Sequence, residues 1–88
     1  MPHFTITTAY NCNPPGELET AAADWRTHYD GPITTEARAF AAARVIGKYF
    51  KAVNVFRGKN IGRLCGGVYQ GRAWKSTGPL RTDVTFLD

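Results

Sequence analysis

The first hydrophobic pattern is a period of two. In residues 3–10, His-Phe-Thr-Ile-Thr-Thr-Ala-Tyr, Phe4, Ile6 and Thr8 fall on one side of an extended chain. The threonines favour a pleated, half-buried surface, so a strand is expected here. Asn11-Cys12-Asn13-Pro14-Pro15-Gly16 ends it, since two prolines cannot continue a ladder. Residues 17–24 have the composition of a short second helix, with Pro15 near its start. Trp25, Thr27 and Tyr29 then alternate with Arg26 and His28, the pattern of a second strand, and Asp30-Gly31-Pro32 reads as its turn.

The period next changes to 3.6. Ala39, Ala42, Ala43, Ile46 and Phe50 stand at i, i+3, i+4, i+7 and i+11. This spacing predicts a long helix over about 35–51, capped by Thr34 or Thr35, with Glu36 at the favourable N-terminal end. Arg44, Lys48 and Lys51 would share its exposed face. Beyond it, residues 53–56, 64–69 and 72–75 read as strands, the last two joined at Gln70-Gly71. Gly66-Gly67 marks a bulge or a close approach of another backbone. Val84-Thr85-Phe86 is an edge strand or a packed-down tail. The expected fold is a single α+β domain over residues 1–88. It has two layers, the helix lying on an antiparallel sheet of four to six strands.

Charge adds a second theme. Between Ala37 and Thr82 stand ten cations and no carboxylate: Arg38, Arg44, Lys48, Lys51, Arg57, Lys59, Arg63, Arg72, Lys75 and Arg81. The first 36 residues oppose Glu17, Glu19, Asp24, Asp30 and Glu36 to Arg26 alone, and the tail adds Asp83 and Asp88. The net charge of +4 therefore hides a strongly basic block, whose field attracts anions over a Debye length. Nucleic acid or an acidic protein surface is the expected partner. The acidic first third folding across the basic block is the competing arrangement.

Candidate chemistry is sparse. Cys12 and Cys65 are expected as reduced thiols; a disulfide would need the loop of Cys12 to fold against the strand of Cys65. His3 and His28 give no metal-ligand pair at zinc spacing. Cys65 with His28 is the one conceivable catalytic dyad, and no spacing supports it. The loop Arg57-Gly58-Lys59-Asn60-Ile61-Gly62-Arg63 matches no phosphate-binding fingerprint; it is either a solvated hairpin loop or one placed beside phosphates. Trp25, Phe40, Phe50 and Phe56 are assigned to the core. Tyr69 and Trp74, interleaved with Arg72 and Lys75, are either core or a stacking surface for single-stranded nucleic acid. No apolar leader segment and no stretch of roughly 18 apolar residues is present. Cytoplasmic residence is expected, with no membrane association and no cofactor. A chain this short is marginal on burial alone, so a homodimer is a further expectation.

The stretch Thr34-Thr35-Glu36-Ala37-Arg38-Ala39-Phe40-Ala41-Ala42-Ala43-Arg44-Val45 follows a leading strand and precedes basic hairpins carrying Gly71-Arg72-Ala73-Trp74. Over about residues 25–76 this resembles small phage-encoded anti-CRISPR proteins that act on type I (Cascade) surveillance complexes. The resemblance implies a non-enzymatic inhibitor that binds Cas protein subunits in the host bacterial cell. It transfers no individual site residue. From charge, the expected contact set is Arg44, Lys48 and Lys51 on the helix with Arg57, Lys59, Arg63, Arg72 and Lys75 on the loops and hairpin. An autonomous DNA- or RNA-binding module is the alternative, and a small hydrolase or nuclease the second alternative.

Overall fold

A computed structural model describes every residue except Thr20, Ile61, Arg81 and Asp88. Arg81 of the basic block, Thr20 of the expected second helix, Ile61 of the glycine-bearing loop and Asp88 of the tail thus lie outside the described residues. Among the described residues six strands and one helix follow one another: β1 (His3–Ala9), β2 (Arg26–Pro32), α1 (Glu36–Ile46), β3 (Ala52–Arg57), β4 (Arg63–Tyr69), β5 (Arg72–Ser76) and β6 (Val84–Phe86). All pairings are antiparallel, and the strands lie in the order β2-β1-β3-β4-β5-β6. The helix packs on β3 and β4, giving the α+β two-layer arrangement expected. β2 and β3 flank β1, so the α1 connection crosses over it.

The period-two pattern of β1 is realised. Phe4 and Ile6 enter the main core with Val53, Val55 and Val68, beneath Ala39 and Ala43 of the helix. The alanines have no bulk beyond Cβ, which lets the helix backbone lie close to the sheet. Phe40, Ala42, Ile46 and Phe50 pack at the margin of this core and are half-buried.

Three expectations are corrected. The helix ends at Ile46, five residues early. Gly47 is its C-cap, keeping an N–H bond to the Ala43 carbonyl at 2.7 Å. Lys48 and Tyr49 then donate to carbonyls three residues back, which tightens the chain into turns. The sheet sets this limit: Ala52 pairs with both Ala9 and Tyr69, so the chain must straighten at Lys51. The second helix near 17–24 does not form; among the described residues this segment is turn and irregular loop. The third correction is at Asp30-Gly31-Pro32, which extends β2 instead of turning. Pro32 sits at the end of an edge strand opposite His3, where its missing N–H does not interrupt the sheet. A bulge leaves His28 between the paired residues Thr27 and Tyr29.

Other local expectations are met. Thr35 is the N-cap, accepting from the Arg38 amide at 3.2 Å. Gln70 and Gly71 both take positive φ in the two-residue β4–β5 turn. The register shifts opposite Cys65, next to Gly66 and Gly67. Among the described residues no helix is long and apolar enough to cross a membrane.

Candidate functional site

The structure divides the expected cationic set. Arg57, Lys59 and Arg63 lie together at the β3–β4 hairpin, all exposed. Lys51 precedes the opposite end of β3, near the β4–β5 turn and Arg72, since the Gln70 amide bonds to the Lys51 carbonyl at 2.8 Å. The six residue steps from Lys51 to Arg57, at about 3.3 Å each, separate the two groups by roughly 20 Å. The common helical face for Arg44, Lys48 and Lys51 is also absent, because Lys48 and Lys51 fall beyond α1. Lys51 instead lies 5.7 Å from the Tyr69 ring centroid and Arg72 4.3 Å from that of Phe86. Lys75 sits by the helix N-terminus, 3.6 Å from the Glu36 carboxylate and 6.0 Å from the Phe40 ring.

Glu36 reaches Lys75 of the basic block, while Glu19, Asp24 and Asp83 hold their own loops together. Asp24 accepts from the Tyr10 and Asn11 amides at 3.0 and 2.9 Å. Glu19 accepts from the Asn13 amide at 3.0 Å and from the Trp25 indole at 2.7 Å. Asp83 accepts from the Leu80 amide at 3.0 Å. Asp30 pairs with His3 across the β1–β2 edge. Lys48, Lys51, Arg57, Lys59 and Arg63 consequently have no carboxylate ion-pair partner among the described residues.

The His3 hydrogen bond is the main cause that lowers the Asp30 pKa below its ordinary value; the Thr5 hydroxyl and nearby Lys59 act in the same direction. A lowered carboxylate pKa stabilises the fold above the ordinary value, and that contribution is lost as pH falls through the lowered one. His3→Ala should therefore raise the Asp30 midpoint, as followed by NMR of its carboxyl carbon. An unchanged midpoint would show that the pair does not hold in solution.

The sheet face away from the helix carries a cleft of about 760 Å³. One wall is the β1–β2 loop around Asn13–Glu19, whose Gly16 reaches across to Val84 of β6. The other is the β5–β6 loop from Thr77 to Leu80, tied by the bond from the Thr77 amide to the Asp83 carbonyl at 2.8 Å. Asn54, Phe56, Tyr69 and Trp74 form the floor, Trp25 lies beside them, and Arg63 stands at one end. Trp25 and Phe56, assigned to the core from sequence, line this cleft and are half-buried; Tyr69 and Trp74 also face it. Sequence reasoning missed Asn54. The signal was a polar amide at the centre of Val53-Asn54-Val55, where period two puts both valines in the core and Asn54 on the other face.

The conceivable catalytic groups stay apart. His28 is exposed on β2, its ring edge-on to Phe50 at 5.6 Å. Cys65 lies on β4, three strand spacings or about 14 Å away. Burial pushes the Cys65 thiol pKa up, and Glu36 adds to the effect, the opposite of an activated thiolate. Neither cysteine is in a disulfide, and both are buried. Cys65 belongs to the helix-side core and Cys12 to a small cluster on the cleft side with Ala9 and Ala52, so the sheet stands between them. No family model, no curated protein and no solved structure matches the chain.

Proposed function

We propose that this chain is a non-enzymatic binding protein that docks through cations onto an anionic macromolecular surface. The nucleoprotein surveillance complex of a type I CRISPR system is the partner class that the sequence resemblance implies. The supporting observation is the set of cations without ion-pair partners among the described residues, Lys48, Lys51, Arg57, Lys59 and Arg63, on a chain where Glu19, Asp24 and Asp83 are engaged within their own loops. Val45 and Tyr49, 58% and 73% exposed, flank Lys48 in sequence and add apolar contact area at the C-terminal end of the helix. Exposed tyrosine is enriched at protein interfaces.

The test compares wild type with the triple variant Lys48→Glu, Arg57→Glu, Lys59→Glu, chosen to leave the cleft intact. Affinity for purified type I complex and for duplex DNA is measured at low and physiological salt. Wild-type binding should weaken steeply with salt, with a log–log slope of about −0.9 per phosphate contacted on B-DNA. The triple variant should associate slowly and bind at least about tenfold more weakly, with its melting temperature little changed, because exposed charges contribute little to stability. Salt-insensitive binding, or a triple variant that binds as tightly as wild type, would remove the cationic surface from the function.

A further inference from the structure

We infer that the cleft on the open sheet face is a binding site for a short single-stranded nucleic-acid segment, its bases against the aromatic side chains and its phosphates on Arg63 and Lys51. The inference shares with the docking proposal the premise of an anionic partner and the cations Lys51 and Arg63; the cleft, its rings and Asn54 are not part of the surface tested through Lys48, Arg57 and Lys59.

Three observations carry it. The cleft volume, about 760 Å³, exceeds the space one base needs. The half-buried rings of Trp25, Phe56 and Tyr69 present apolar surface to it, with Trp74, only 4% exposed, closing the floor. Base–aromatic stacking is tolerant of sequence because every base has a π-face.

The second observation is Asn54. It lies at mid-floor on β3, opposite Thr7 on one side and Gly67 on the other. Gly67 has no side chain to cover it, and a Cβ there would run into the Val53 carbonyl. The Asn54 amide is half-buried and has no side-chain hydrogen bond among the described residues. A free carboxamide pointing into an apolar cleft offers a paired donor and acceptor, which suit the edge of a nucleobase.

The third is the placement of charge. Arg63 lines the cleft at the start of β4, and Lys51 stands over the Tyr69 ring at its end. Six steps along β4 separate these ends by about 20 Å, a span of a few nucleotides. Two carboxylates belong to the wall: Glu19 is held by the Trp25 indole and the Asn13 amide, and Glu17 is exposed to solvent. A duplex cannot offer its bases to this cleft, whereas a single strand can.

The chain has two tryptophans, Trp25 and Trp74, and both line the cleft, so intrinsic fluorescence reports on it directly. The full chain is titrated with a single-stranded DNA 12-mer, its duplex, and AMP. The expected result is saturable quenching by the single strand, with affinity for duplex and AMP at least about tenfold weaker. The salt slope should be near −1.4, from two phosphates at about −0.7 each. Tyr69→Ala should weaken single-strand binding about tenfold. Asn54→Ala serves as a second variant, since removing an unpartnered amide leaves the fold intact; it should weaken binding severalfold and reduce discrimination between homopolymers. The Lys48, Arg57, Lys59 triple variant should still quench, which separates failure of this site from failure of the docking surface. Quenching absent at millimolar strand would overturn the proposal. So would duplex or AMP binding as tightly as the single strand, or unchanged affinity in folded Tyr69→Ala and Asn54→Ala variants.

Discussion

Ala43→Asp is expected to leave the chain unfolded at room temperature. Ala43 is fully buried where α1 meets the sheet, beside Ala39 and above the valines of β3 and β4. A carboxylate there would be an unpaired charge in a close-packed apolar layer, at a cost of several kcal/mol. It would also sit in the last turn of the helix, where a negative charge opposes the helix dipole. An 88-residue domain has a total stability of roughly 4–13 kcal/mol, so one such substitution removes most of it. Ala41→Asp is the control: Ala41 is exposed on the same helix, and a charge there should change stability by less than about 0.5 kcal/mol. Ile46, at the end of α1, is only half-buried, so aspartate there should be milder than at Ala43. Thermal melts followed by circular dichroism give the comparison. An Ala43→Asp protein melting within a few degrees of wild type would mean the helix does not lie on this face of the sheet.

Gly66→Ala, the addition of one methyl group, should cost on the order of 2–6 kcal/mol through backbone strain and overpacking together. Gly66 has φ +152, a conformation that residues with a Cβ rarely adopt. The new Cβ would meet the Trp74 carbonyl oxygen, with Phe40 Cζ at 2.8 Å and Lys75 Cα at 3.0 Å. Two of these three obstacles are backbone of the neighbouring strand and cannot rotate away. Gly71→Ala separates the causes, because Gly71 also has positive φ but nothing lies within 4 Å of the position its methyl would take. It should show the conformational cost alone, and a smaller loss. Equal losses in urea unfolding at the two positions would assign the Gly66 effect to strain and not to the approach of β5.

The elements were legible because each depends on neighbours in sequence. The alternation of Phe4 and Ile6 sets one face of β1, Thr35 caps α1 with its own hydroxyl, and Gln70-Gly71 turns a two-residue hairpin. Gly66-Gly67 marked the bulge because only glycine tolerates that conformation and that approach. Where the helix stops was not legible. Helical spacing continues to Phe50, and the early end at Ile46 comes from the need to deliver Ala52 to its partners Ala9 and Tyr69. Pro32 looked like a turn because local propensity cannot see that β2 would be an edge strand. The strand order, with β1 between β2 and β3, is likewise a property of the packed sheet.

Charge shows the division most clearly. The segregation of cations from carboxylates is written in the sequence, and it directs attention to an anionic partner. Which cations remain without partners is decided in three dimensions. Glu19, Asp24 and Asp83 became struts of the two loops that wall the cleft, since backbone amides of a loop need acceptors. The cleft itself was invisible. Trp25, Asn54, Arg63, Tyr69 and Trp74 come from four separate segments, and only pairing of β3, β4 and β5 under the β1–β2 loop sets them around one space.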